Sequence, residues 1–416
     1  MNAVSRPILN ALLLCLSVGA AAHGQGVPID LQALIAGTAA GDTLRLAAGR
    51  YTAAVVDRPL TLLGRGDDTV IDGGGRGHSL SLKAADITVA RLRITGSGTD
   101  IDRKESGVWI DRDAPRARLE QLVIEARGFG IWADAATAPR IAGCRITGRD
   151  DEAMVSDLGN GIHLFKVSDG LVRDNHISKG RDGIYISNST GCLIADNHIS
   201  DTRFAIHYMY SHTNRVVGNR AEDSSVGLAL MYSKHLEISA NRVSGCHTHG
   251  ILLRNLYYSR IVDNWTGGNK DGFFFSGCSY DTLSGNWVGG NQLGILVSDS
   301  PENLVSGNAF VGNDEQLSYQ DNKVQVWDSD KGGNFWNDYV GWDRDGDGFG
   351  DRRHLPLDIA SYLVQRFPAV RLVMHSPAMA LLQSLEDQFP ALHPPGIVEP
   401  RPLIANPLAG AETGRR

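Results

Sequence analysis

Between residues 107 and 308 the apolar positions recur in short alternating runs and not in helical stripes. A four-residue signature recurs, formed by a small residue, an aliphatic, any residue and an apolar residue. It begins at Gly107 (GVWI), Gly130 (GIWA), Gly161 (GIHL), Gly183 (GIYI), Ala205 (AIHY), Gly227 (GLAL), Gly250 (GILL), Gly272 (GFFF) and Gly294 (GILV). From Gly161 onward the steps are 22, 22, 22, 23, 22 and 22 residues. A second column, Asn175, Asn197, Asn219, Asn241, Asn264, Asn286 and Asn308, keeps the same steps. Two columns in phase over seven copies define a repeat. Within each copy, period-two apolar pairs are separated by Gly, Asn, Asp and Ser, which predicts three short strands per coil. No window shows a 3.6-residue period, so helical solenoids are excluded. The pattern predicts an all-β chain folded as a right-handed parallel β-helix of about 22 residues per coil.

The two columns have physical reasons. Coils stack at the strand spacing of ~4.8 Å, so an Asn repeated at one point of the coil can hydrogen-bond to its copy on the next. Asn also tolerates the left-handed backbone of a tight turn. The regular coils span about 107–330 of a β-helix domain over residues 23–354. Asp30 is placed to cap a short helix, LQALIAGTAAG, that would close the apolar N-terminal end. The step from Gly130 to Gly161 is 31 residues, so the acidic insert RDDEAMVSDLGN must leave the coil as a loop. At the C-terminus, residues 355–416, Ser376-Pro377 make a helix start. Ala378, Leu381, Leu382, Leu385 and Phe389 then share one helical face. Pro390 stops this helix, and the Pro-rich tail HPPGIVEPRPLIANPL is expected to be extended; helix and tail can cap the β-helix or dock onto a partner. Leu381, Leu382, Leu385 and Phe389 are the candidate docking face for a partner.

Composition narrows the class. The 416 residues include 48 Gly, 42% apolar and 21% charged residues, a folded composition without a Gly-X-Y period. With 40 Lys+Arg against 47 Asp+Glu the net charge is -7, and there is no basic run, which argues against nucleic acid. Residues 1–22 read as a secretory signal peptide, with Arg6, an apolar stretch from Ile8 and a cleavage signal near Ala22. That implies export. Cys15 lies in this leader. Cys144, Cys192, Cys246 and Cys278 fall at different phases of the coil, so burial and not disulfide pairing is expected.

Candidate chemistry lies on one stripe. In each long strand the aliphatic at +1 and the apolar residue at +3 from the Gly face inward, while +2 and +4 face outward. The outward columns carry Trp109, Trp132, His163, Tyr185, His207, Met209 and Met231, unlike an idle solvated strand. Two functional readings remain open. Aromatics suit a sugar-binding or sugar-cleaving face, but cleavage needs convergent carboxylates, and Asp182 and Asp271 lie four coils apart. Alternatively, His207 and Met209 share a face at i, i+2, and Met231 stacks one coil on, a soft donor set suited to Cu(I). His212 at the following turn, His163 two coils back and Met154 in the insert are possible further ligands. Against both, the methionines would serve as adaptable filler. Cys246, His247 and His249 (CHTH) form a second, weaker grouping. After the repeat, Asp343, Asp345 and Asp347 with Gly348 match positions 1, 3, 5 and 6 of a Ca²⁺ loop, and Asp351 matches position 9, but His354 stands where a bidentate Glu is expected.

Taken together, the leader, the 22-residue repeat with its NHIS and NRVS segments, the stretch GNFWNDY…DRDGDGFGD and the tail SPAxxLL…P…PRPL resemble the NosD family, within the wider carbohydrate-binding and sugar-hydrolase-type β-helices. The likeness covers nearly the whole of residues 23–416. It implies a non-enzymatic periplasmic accessory protein for maturation of the copper–sulfide centre of nitrous oxide reductase. Its implied partners are an ABC transporter with ATPase and permease subunits, a copper chaperone lipoprotein and apo nitrous oxide reductase. It carries no established ligand residues over to this chain. The alternative is a secreted carbohydrate-binding or polysaccharide-cleaving β-helix protein.

Overall fold

The computed structural model describes residues 27–149 and 154–411, apart from 322, 328, 330, 331, 358, 375 and 390–394. The proposed signal peptide lies outside the described residues. The paired strands are parallel, and they stack in register apart from shifts between Thr61–Asp72 and Thr88–Thr95 near the N-terminal end. One face of the coil is a 12-stranded sheet that runs from Ala54–Val56 to Glu315–Tyr319. It contains the long strands Asp182–Ser187, Phe204–Met209, Val226–Lys234 and His249–Tyr257. The other faces are two ranks of three-residue strands such as Leu171–Arg173 and His176–Ser178. Near the N-terminal end the continuous strands Thr61–Asp72 and Thr88–Thr95 run round the corner and join those ranks into one sheet.

The inward positions form one continuous core. Ile184, Ile186, Ile206, Tyr208, Leu228, Leu230, Ile251 and Leu253 are fully buried. Each such side chain contributes about 1.5–3 kcal/mol by leaving water. Tyr208 is the exception in kind, because its hydroxyl is buried inside the barrel with no hydrogen-bond partner.

At the corner between the two short-strand ranks the Asn column is a hydrogen-bonded ladder. Asn219 shows the unit: its Nδ2 donates to Asn241 Oδ1 at 3.0 Å and to Ile194 O at 2.9 Å, and its Oδ1 accepts from Asn197 Nδ2 at 2.9 Å. The ladder runs on to Asn334, which no in-phase asparagine in the sequence announced. Cys144 starts this ladder, and Cys246 starts a second one that runs through Asn269, Asn291 and Asn313. Cys144 donates its N–H to Asn175 Oδ1 at 2.9 Å, and Cys246 donates to Asn269 Oδ1 at 2.9 Å. All four described cysteines are unpaired and buried, and burial pushes the Cys144, Cys246 and Cys278 thiols up to about 12.

Helix α1, Leu31–Ala36, is capped by Asp30, whose side chain accepts from Ala33 N. Its Leu31 and Ile35 close the N-terminal end of the core. At the other end the structure adds helix α2, Ile359–Arg366, and a 3₁₀ segment, Pro368–Val373, between two prolines. The expected helix follows as α3, Pro377–Gln388, with Ser376 Oγ accepting from Met379 N. Of the two roles left open for the Pro-rich tail, capping the β-helix or docking onto a partner, the described residues take the first. Ile397–Val398 pairs with Gln325–Val326, and Leu403 N donates to Asn334 O at 2.9 Å. Glu399 is fully buried and accepts from Asn334 Nδ2 at 2.7 Å, at the head of the Asn ladder. A buried carboxylate must be hydrogen-bonded, and this one ties the tail down as the C-terminal lid of the solenoid.

Candidate functional site

The outward face of the 12-stranded sheet carries a column of rings one coil apart. His78, Trp109, Trp132, His163, Tyr185 and His207 follow one another with ring centroids 4.8, 6.1, 3.9, 4.6 and 4.3 Å apart. From Trp109 to His207 the column forms because each residue occupies the same register position in a parallel sheet, while His78 joins it from just before the strand whose Ser81 pairs with Trp109. It stops at Ala229, which pairs with His207 one coil on. There the outer face becomes an apolar cluster of Val226, Ala229 and Leu252, with Phe204, Met231 and Phe274 packed against it.

His207 stands at this boundary. It is 5% exposed, with the Tyr185 ring stacked on it and the edge of Phe204 at 4.9 Å. Its Nδ1 lies 2.9 Å from Asp182 Oδ2, on the preceding coil. Asp182 also accepts from Arg203 Nε at 2.8 Å and Nη2 at 2.7 Å. Burial alone would raise the Asp182 carboxyl, but the hydrogen bonds from His207 and Arg203 outweigh it and hold it below the usual carboxylate range. An ionised Asp182 can only accept, so His207 Nδ1 donates to it and Nε2 is the nitrogen left facing away from the carboxylate. That Nε2 is buried and has no hydrogen-bond partner. A carboxylate behind an imidazole whose far nitrogen is unused is the arrangement that orients histidine toward a metal.

Of the residues expected near His207, Met209 shares its strand and outward face, and Met231 pairs with Met209 in register on the next coil. Both are half-buried, and Met231 packs on the apolar cluster. His163 is kept apart, because the ring of Tyr185 lies between it and His207. Its nitrogens are engaged by Asn160 Nδ2 at 3.1 Å and Ser187 Oγ at 3.4 Å, and burial pushes it down to about 3, so it is neutral. His212 is exposed in the turn, where its Nδ1 accepts from Lys234 N. Met154 is exposed at the start of a 3₁₀ turn, Val155–Asp157, in the insert. In the second grouping, Cys246 is buried, His247 is exposed and His249 Nδ1 lies 2.7 Å from Asp271 Oδ2.

The role of Asp182 escaped the sequence reading, which took it only as an unpaired acid. The available signal was its place just before Gly183, one coil behind His207 and 25 residues away. Because Asp182 is committed to His207 and Arg203, and Asp271 to His249, these acids do not converge as a carboxylate pair.

Asp343, Asp345 and Asp347 each place one carboxylate oxygen within 4.8 Å of the others. Asp343 accepts from Gly346 N and Gly348 N, while Asp351 accepts from Arg344 N and closes the loop. On α3, Leu381 and Phe389 are exposed, and Leu382 and Leu385 are half-buried.

Residues 142–341 match the family model described as periplasmic copper-binding protein (NosD). The chain is 36% identical over 420 residues to the "probable ABC transporter binding protein NosD" of Pseudomonas aeruginosa, covering 97% of this chain and 96% of that one. It is 34% identical over 380 residues to the protein of the same description from Stutzerimonas stutzeri, covering 87% of each. Among solved structures, it resembles the A-module of the Azotobacter vinelandii mannuronan C-5 epimerase AlgE4, with a TM-score of 0.58 at 14% identity over 70% of this chain and 92% of that chain. The A-module of the related AlgE6 gives 0.56 at 14% identity, over 69% of this chain and 89% of that chain. At that identity only the β-helix fold is shared.

Proposed function

The chain belongs to the NosD family of periplasmic copper-binding proteins, and on that footing we propose that it takes up Cu(I) on the outer face of its 12-stranded sheet as a non-enzymatic accessory in the maturation of the copper–sulfide centre of nitrous oxide reductase. The single observation that carries the copper site is the unpartnered, buried Nε2 of His207 with Asp182 behind it. Met209 and Met231 add two thioethers on the same face, and an imidazole with thioethers suits a soft monovalent cation. Copper is cargo here, handed on to apo nitrous oxide reductase. The names of the relatives support association with an ABC transporter, whose permease and ATPase we take as the membrane partner. A copper chaperone lipoprotein is the proposed donor. The exposed Leu381 and Phe389 of α3 are the proposed contact with the transporter. Asp343, Asp345, Asp347 and Asp351 are assigned to a structural Ca²⁺, and residues 1–22 to a cleaved export signal.

The test is Cu(I) competition with a chromophoric chelator on purified protein. Wild type should withdraw copper from the chelator, and His207→Ala/Met209→Leu/Met231→Leu should lose that ability. Equal copper retention by both proteins would refute the site.

A further inference from the structure

A corner beside the copper face holds side chains that its backbone disfavours. After each long strand the chain turns through the left-handed region. Asn188, Asn255, Gly277 and Asp299 make that turn in their coils, as small, amide or short acidic residues do readily, and Lys166 makes it in the coil before Asn188. In the two coils between Asn188 and Asn255 the same turn is made by Tyr210 and Tyr232, at φ 52° and 51°. Three residues further on, where other coils use Asp169, Gly191, Thr213 or Glu302, the turn is made by the rings of His235, Tyr258 and Tyr280 at φ 55°, 54° and 62°. A bulky residue there costs roughly 1–2 kcal/mol. Five such residues in four consecutive coils point to a function that outweighs the strain.

These rings are on the surface. Tyr210, Tyr232, Tyr258 and Tyr280 are 53, 40, 53 and 51% exposed. Tyr210 stacks on Tyr232 at 5.3 Å, and Tyr258 lies between His235 at 5.6 Å and Tyr280 at 5.1 Å. Stacking covers ring faces and leaves ring edges outward, with the Tyr280 hydroxyl on the Glu302 carboxylate. That suits a protein interface, where tyrosine is enriched, better than a pyranose, which needs an open face. The same edge carries Lys234, Arg254 and Arg260 in a chain of net charge -7; of its acids, Glu237 is held by Arg215, Asp281 is buried, and the exposed Glu302 is engaged by Tyr280 at the far end of the row. Tyr210 and Tyr232 directly follow Met209 and Met231.

We propose that this tyrosine edge is the docking face for a protein partner with a carboxylate-rich surface, which exchanges copper with the site next to it. The inference deepens the copper reading and rests on it. The test uses the full chain with Tyr210, Tyr232, Tyr258 and Tyr280 all changed to Asn. Binding is measured to the purified soluble domain of the copper chaperone and, separately, to apo nitrous oxide reductase. At least one should bind wild type in a salt-sensitive way, with Kd at least tenfold weaker for the variant. The variant's Tm should not fall, because Asn suits the turn, and its own Cu(I) affinity should be unchanged. A merely structural role predicts a lower Tm with partner binding kept, and would overturn the proposal. Equal binding of both proteins, or no binding, overturns the docking face while leaving copper uptake standing. Binding through this edge by a protein that takes up no copper overturns the exchange and the proposed function together. Retention of wild type but not the variant on a polysaccharide gel would replace the protein partner with a glycan.

Discussion

Asp182 Oδ2 and His207 Nδ1 lie 2.9 Å apart, on neighbouring coils at the edge of an apolar patch. The carboxylate fixes which imidazole nitrogen is free. Asp182→Asn keeps the size and one hydrogen bond but removes the charge that holds the Nδ1 proton. Loss of such a supporting partner costs about 10–100-fold in metal affinity. Cu(I) competition should show that loss in Asp182→Asn, with the far-ultraviolet circular dichroism of a β-helix retained. Unchanged affinity would mean that the pair is a structural contact only.

Asp281 gives a pH dependence of known sign. It occupies a ladder position, with Oδ1 accepting from Ser259 N and Oδ2 buried without a partner. Burial pushes it up to about 7, against ~3.9 in the unfolded chain. Below ~4 both states are protonated and there is no penalty. Between ~4 and about 7 the unfolded state ionises first, so stability falls as pH rises. Asn214 and Asn303 donate Nδ2 to Ser189 O and Cys278 O at 3.1 and 3.0 Å, and an amide at 281 has Leu256 O in the matching place. Asp281→Asn should therefore stabilise by about 1–4 kcal/mol at pH 8 and by little at pH 4. Urea unfolding at the two pH values reads the difference, and a gain equal at both would contradict the assignment.

The ladder itself is measurable at Asn219. Alanine there strips partners from Asn197, Ile194 O and Asn241, all in the interior. Each buried group left unpaired costs about 1–3 kcal/mol. Asn219→Ala should lower stability by about 3–5 kcal/mol, whereas alanine at the half-buried Asn255, in a turn outside the ladder, should cost less. Comparable losses at the two positions would show that the ladder adds little.

The repeat was legible because strand stacking forces each coil to reuse the same chemistry, so Asn175 through Asn308 announced the fold. The geometry of the proposed copper site was partly legible for the same reason: that His207, Met209 and Met231 share one outer face follows from register alone. What stayed hidden depended on contacts across coils or at the ends. Asp182 reaches His207 from one coil back, and the Tyr185 ring separates His163, which no phase count reveals. Glu399 reaches Asn334 across 65 residues. The segment of α2 is too short for its period to stand out between Pro356 and Pro368.

That end contact changes how the transporter contact must be tested. Removing everything from Ser376 would delete α3, but also Glu399 and the strand Ile397–Val398, and so uncap Asn334 and Trp336. A truncated protein that loses its partner would not separate docking from unfolding of the last coil. Leu381→Ser/Phe389→Ser avoids this, because both side chains are more than half exposed and lie outside the buried core. Surface changes of that kind move stability by about 0.5 kcal/mol or less. The double variant should keep the wild-type Tm and lose copurification with the permease–ATPase complex in detergent. Glu399→Gln should do the reverse, lowering Tm by weakening the Asn334 contact while α3 still engages the complex. If Leu381→Ser/Phe389→Ser copurifies as wild type does, α3 is not the contact, and the transporter is held by another surface of the solenoid.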